Sequence, residues 1–101
     1  MTARIKPVDG RLRVGETLYL TCQASGYPAP TVRWEKMGIE LISTGRMTVV
    51  GENLRITEVT LDDTGLYTCI AINAEEKVED TKSIQVIPKG ENTLKCWSYA
   101  L

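Results

Sequence analysis

The chain has 101 residues, 43% hydrophobic and 25% charged, with 12 basic against 13 acidic side chains. That is enough for one domain with one modest core, and the charge balance offers no surface of the kind that grips nucleic acid or a polybasic membrane contact. It contains no histidine, which removes Ser-His and Cys-His nucleophile pairs, histidine general bases and histidine-ligated metals together.

In chain order the pattern is one of strands broken by turns. Met1-Thr2-Ala3-Arg4 opens no apolar stretch of signal-peptide length, so the expectation is a cytosolic chain or a piece of a longer secreted one. No later apolar run is long enough to span a bilayer. From Glu16 to Ser25, Leu18, Leu20, Cys22 and Ala24 fall on one face and Thr17, Tyr19, Thr21 and Gln23 on the other, the alternation of a half-buried strand. Gly26-Tyr27-Pro28-Ala29-Pro30 breaks it, because proline cannot donate to a ladder. Further strands are predicted over Thr31 to Lys36, with Val32 and Trp34 inward, then Ile39 to Ile42, Met47 to Val50 and Leu54 to Val59. The last two run from about Leu66 to Asn73, with Tyr67, Cys69 and Ala71 inward, and from about Val78 to Ile87. Short strands with a turn every few residues predict an all-β antiparallel sandwich or barrel. Pro88 to Asn92 reads as a linker, which divides the chain into a domain over 1–88 and a tail over 89–101. The three cysteines, Cys22, Cys69 and Cys96, are too far apart for a zinc motif and allow at most one internal bridge and one leftover thiol.

Four segments carry a family resemblance. Gly26 to Trp34 resembles the Gly-x-Pro-x-Pro-x-x-x-Trp segment of intermediate-set (I-set) immunoglobulin domains. Leu54 to Val59 resembles their Leu-x-Ile-x-x-Val strand, Asp63 to Cys69 their Asp-x-Gly-x-Tyr-x-Cys, and Ala71-Ile72-Asn73 their Ala-x-Asn. Each is weak alone; in this order and spacing they are specific. The resemblance covers roughly residues 3 to 88. It implies an I-set immunoglobulin-like antiparallel β-sandwich whose two sheets are joined by one disulfide, Cys22 to Cys69, with Trp34 packed on the bridge. It also implies a structural core of Trp34, Leu54, Ile56, Asp63, Gly65 and Tyr67. In that core the Tyr67 hydroxyl bonds backbone at the preceding turn, and Arg46 pairs with Asp63 across the end of the sandwich. Two places depart from the family. Glu76 stands where a glycine is common, so Asn73 is expected to supply the left-handed residue of the last hairpin. Lys82 stands where a small residue is preferred, which leaves the register of residues 80 to 82 open.

The family implies binding: its domains are modules of adhesion molecules and receptor ectodomains, receptor tyrosine kinases included, or structural modules of sarcomeric and cytoskeletal proteins. The first reading is an extracellular, non-enzymatic protein-recognition module, homophilic contact included; the alternative is a cytoplasmic structural module. No cofactor, metal, nucleic acid, small-molecule substrate or membrane insertion is expected. The candidate partner face is the outer side of the sheet holding Trp34 and Cys69, where alternation points Arg33, Glu35, Ile70 and Ile72 outward. Against it stands the plain reading that arginine stems cover the isoleucines. The basic start (Arg4, Lys6, Arg11, Arg13) and the acidic last hairpin (Glu75, Glu76, Glu79, Asp80) read first as neighbours that neutralise each other, and second as complementary ends of two molecules. Asp62 and Asp63 are too few oxygens for calcium. Cys96, beside Trp97 and Tyr99, is a thiol in search of a partner, and no Asn-x-Ser/Thr site is present.

Overall fold

The alternation seen in the sequence leaves each strand one apolar face, and two such faces must meet. In the computed structural model, which describes residues 1–6 and 10–88, they do so as a two-layer sandwich. The strands are β1 (Thr2–Lys6), β2 (Arg11–Arg13), β3 (Leu18–Ser25), β4 (Thr31–Lys36), β5 (Ile39–Glu40), β6 (Met47–Val50), β7 (Asn53–Ile56), β8 (Gly65–Ile72) and β9 (Lys77–Ile87). A 3-10 turn, Leu61–Asp63, precedes β8. One sheet has the order β1-β3-β7-β6 and the other β2-β9-β8-β4-β5. The pairing of β2 with β9 is parallel; the other described pairs are antiparallel.

Cys22 of β3 and Cys69 of β8 are bonded across the two sheets, confirming the expected bridge. They stand 47 residues apart in sequence, a loop whose closure is worth about 4 kcal/mol on the chain-entropy model. Trp34 is opposite Cys69 in the β4–β8 ladder, fully buried, and its indole N–H donates to the Glu52 carbonyl at 3.3 Å. Leu18, Leu20, Leu54 and Ile56 pack below it from the first sheet and Tyr67, Ile84 and Val86 from the second. Val59 is buried although β7 ends at Ile56: Glu58 takes a left-handed φ of 50, which ends the strand pairing.

The corner before β8 is a closed set of bonds. Thr60 N–H donates to the Asp63 carboxylate at 2.8 Å, and Arg46 Nη1 reaches the same oxygen at 3.3 Å and the carbonyls of Thr57 and Glu58 besides. The Tyr67 hydroxyl donates to the Asp63 carbonyl at 2.5 Å, and Lys36 Nζ lies 5.5 Å from the Tyr67 ring centre. Gly65 opens β8 in a place where a Cβ would come within 2.9 Å of Lys36 Cε.

Strands β1 and β2 escaped the sequence pattern, and the last hairpin departed from it. Strands β1 and β2 are too short and too charged for alternation to mark them. What places them is tertiary contact. Gly10 runs so close to β9 that a Cβ would collide with the Ser83 carbonyl, while Gln85 N–H donates to the Gly10 carbonyl at 2.6 Å. Asn73 is not left-handed; among the described non-glycine residues only Met37 and Glu58 are. Its carboxamide turns the hairpin instead, accepting from the N–H groups of Glu75 and Glu76 at 2.8 and 2.9 Å. The final strand is one continuous ladder on β8, with Asp80 opposite Cys69 and Lys82 opposite Tyr67. Asp80 therefore faces β1, where its carboxylate accepts the Ile5 N–H at 2.7 Å, a donor on the free edge of the first sheet. The expected tail over 89–101, with Cys96, lies outside the described residues, as do residues 7–9.

Two substitutions test this framework. Asp80→Ala strands the Ile5 N–H and removes a charge-assisted bond; it should cost ~1–3 kcal/mol in denaturant melts and speed hydrogen exchange at Ile5. Tyr67→Phe should cost ~1–3 kcal/mol by leaving the Asp63 carbonyl without its donor. Burial first, and the Asp63 carboxylate second, push the Tyr67 hydroxyl's pKa well up, against a smaller lowering by Arg46. A group that ionises near pH 10 only when unfolded stabilises the fold fully below that pH, and the contribution drains as pH rises toward the folded value. The wild type should lose stability above about pH 10 more steeply than Tyr67→Phe does; equal slopes would remove Tyr67 as the cause.

Candidate functional site

A sandwich whose inner faces form the core can meet a partner with its outer faces, edges and end loops. The outer face of the larger sheet carries Arg33 and Glu35 on β4, Leu66, Thr68, Ile70 and Ile72 on β8, and Lys77, Glu79, Thr81 and Ser83 on β9. Its charges and hydroxyls are mostly engaged with one another. Arg33 Nε lies 3.4 Å from Glu35, Lys77 Nζ lies 3.6 Å from Glu79, and the Thr68 and Thr81 hydroxyls are 2.9 Å apart. Ile70 points outward as alternation requires, but it is only 2% exposed. In the ladder it is flanked by Arg33 on one side and Glu79 on the other, two long side chains on the same face. The sequence offered two readings of Ile70, an exposed apolar centre or an isoleucine covered by long charged stems; at 2% exposed, Ile70 fits the second. Ile72, at the end of β8, is half-buried, and Arg33 and Glu35 remain accessible.

The other outer face was not singled out from the sequence. Its strands present Thr2, Arg4 and Lys6 on β1, Tyr19, Thr21, Gln23 and Ser25 on β3, Asn53 and Arg55 on β7, and Thr48 and Val50 on β6. Three cations and no carboxylate stand on these four strands. Tyr19 is opposite Arg55, and Val50 opposite Asn53. Tyr19 and Val50 are each 62% exposed and line a shallow groove with Thr21, Thr48, Asn53 and Arg55. The signal for Tyr19 was present, since alternation put an aromatic residue on a polar face; the absence of acid needed the strand order.

At the end of the sandwich that carries the β8–β9 hairpin, the loop between β3 and β4 is tied to that hairpin by Asn73 Nδ2, which donates to the Pro28 carbonyl at 2.8 Å. Tyr27 stands 94% exposed in this loop. Among the described residues no group of three or more His, Cys, Asp and Glu is placed to hold a metal ion, and no helix is long and apolar enough to cross a membrane.

Two mainly antiparallel layers bridged under a tryptophan, with β1 and β2 divided between the sheets and a tyrosine closing the corner before β8, define an immunoglobulin-type sandwich. The family model of the immunoglobulin I-set domain matches residues 1–86, and the chain belongs to that family. It is 36% identical over 88 residues to hemicentin-1 of Mus musculus, covering 83% of this chain and 2% of that protein. It is 40% identical over 65 residues to contactin-2 of Homo sapiens, covering 64% of this chain and 6% of that one. The chain thus spans a small fraction of these relatives' length. Among solved structures it resembles an Ig domain in the titin M10–obscurin-like 1 complex, with TM-score 0.72, 29% identity, and coverage of 80% of this chain and 87% of that one.

The two outward isoleucines are separable by experiment. Ile70→Asp buries a carboxylate in an apolar setting and should cost ~2–4 kcal/mol in a denaturant melt, whereas Ile72→Asp should stay within ~1 kcal/mol. Equal, small shifts would show that Ile70 is accessible after all.

Proposed function

We propose that this domain is a non-enzymatic protein-recognition module within a longer chain, from the extracellular part of an adhesion molecule or cell-surface receptor. The observation that carries the reading is the Cys22–Cys69 bridge at the centre of the sandwich, since disulfides form and persist in oxidising compartments. The relationship to contactin-2 and to neogenin, a match at 38% identity over 76 residues, supports the same placement. A partner protein would approach the outer face of the larger sheet through Arg33, Glu35 and the rim of Ile72, with Ile70 holding that face from below. Polar side chains around a small apolar centre are a usual composition for a recognition surface.

A second reading has its own support. The resemblance to an Ig domain of the titin M10–obscurin-like 1 complex supports it, and by that analogy the chain would serve as a cytoplasmic structural module. The redox state of the pair separates the two. Protein from its native source is alkylated before and after reduction and mapped by mass spectrometry. The extracellular reading expects Cys22 and Cys69 to be alkylated only after reduction; both alkylated beforehand would favour the structural module.

A further inference from the structure

Two surfaces of this molecule are each incomplete and match one another. The first is the outer face of the smaller sheet. Arg4, Lys6 and Arg55 stand there without a carboxylate on any of its strands, and no ion pair among the described residues engages them. At its centre Tyr19 and Val50 border a groove of about 290 Å³. The second is the hairpin end. Tyr27 projects there almost fully into solvent, on a loop bonded to the hairpin that carries Glu75. The Glu75 backbone N–H is taken up by Asn73, and its carboxylate makes no ion pair among the described residues.

We infer that these surfaces are the two halves of one joint: the Tyr27 and Glu75 knob of one copy of this chain seats in the Tyr19, Val50 and Arg55 groove of a second copy. The groove offers apolar contact beside a cation, and the knob offers an aromatic ring on a loop bonded to the hairpin that carries an anion. Each supplies what the other lacks, which is the condition for electrostatic complementarity at a contact. The halves lie on different parts of the molecule, so the joint is heterologous and propagates head to side rather than closing into a twofold dimer. A patch this small makes a weak contact, and its exposed charges make it sensitive to salt. The joint does not depend on the compartment or on the larger sheet's face proposed above.

The test is sedimentation equilibrium of the full chain, with Cys96 alkylated so that disulfide-linked species do not count. At about 0.05 M salt the average mass should climb with concentration, and at about 0.5 M it should return to 11.2 kDa. Arg55→Glu blocks the groove, and Tyr19→Ser is a second groove variant without a charge change. Tyr27→Ser with Glu75→Gln blocks the knob. All these positions are exposed, so each variant should keep its melt, and each alone should weaken association by roughly tenfold or more. An equal mixture of Arg55→Glu with the knob variant should recover association and stop at the dimer, because only one productive joint remains. A wild type that stays at 11.2 kDa at every concentration, variants that associate like the wild type, or a mixture that stays monomeric would each overturn the joint.

Discussion

Everything in this domain is arranged around one cross-link, the bond from Cys22 on β3 to Cys69 on β8. It ties an inner strand of the smaller sheet to the central strand of the larger, and Trp34, one strand over from Cys69, is buried beside it. Once those two residues must face each other, the side-chain period of two decides the facing of every neighbour on both strands. Leu18 and Leu20 go inward with Cys22, and Tyr67 and Ala71 with Cys69. What is left over forms the two outer faces. The same constraint thus builds the core and distributes the residues available for recognition.

Those faces received different treatment. On the larger sheet the outward residues are matched within the face: arginine to glutamate, lysine to glutamate, threonine to threonine, with Ile70 sealed among them. On the smaller sheet no ion pair among the described residues engages Arg4, Lys6 or Arg55. Intramolecular neutralisation of the basic start by the acidic hairpin would have removed that imbalance. The Met1 ammonium does pair with Glu76 at 2.9 Å, but no ion pair among the described residues joins Arg4 or Lys6 to Glu79 or Asp80; Asp80 is committed to a backbone N–H instead. Asp80 thus closes a strand edge rather than forming an ion pair with a cation of the neighbouring face.

The strongest part of the sequence reading was the core. Strands with clean alternation, β3 and β8 above all, announce which residues are buried, because burying one face of a pleated strand demands that pattern whatever lies opposite. The turn before β8 was legible for a related reason: Asp63 and Tyr67 act on backbone groups three or four residues away, so their spacing is their geometry. Strands β1 and β2 were not legible. Their burial comes from β3 and β9, which are distant in sequence, and short charged segments carry no period of their own.

From its amino acids alone this chain was determined to be an all-β sandwich or barrel with Cys22, Trp34, Tyr67 and Cys69 facing inward, since local alternation encodes which way each side chain points; the bridged immunoglobulin form came from the family resemblance of its motifs. Only the tertiary structure decided how much solvent each outward residue sees. Ile70 and Tyr19 are both apolar-bodied residues on outward positions of central strands. Ile70 is buried with a long side chain opposite it on each side, Arg33 and Glu79; Tyr19, with Arg55 opposite it as its one described ladder partner, stays open. Facing is a property of one strand, whereas exposure is set by the side chains that strand pairing places alongside, and those come from elsewhere in the chain.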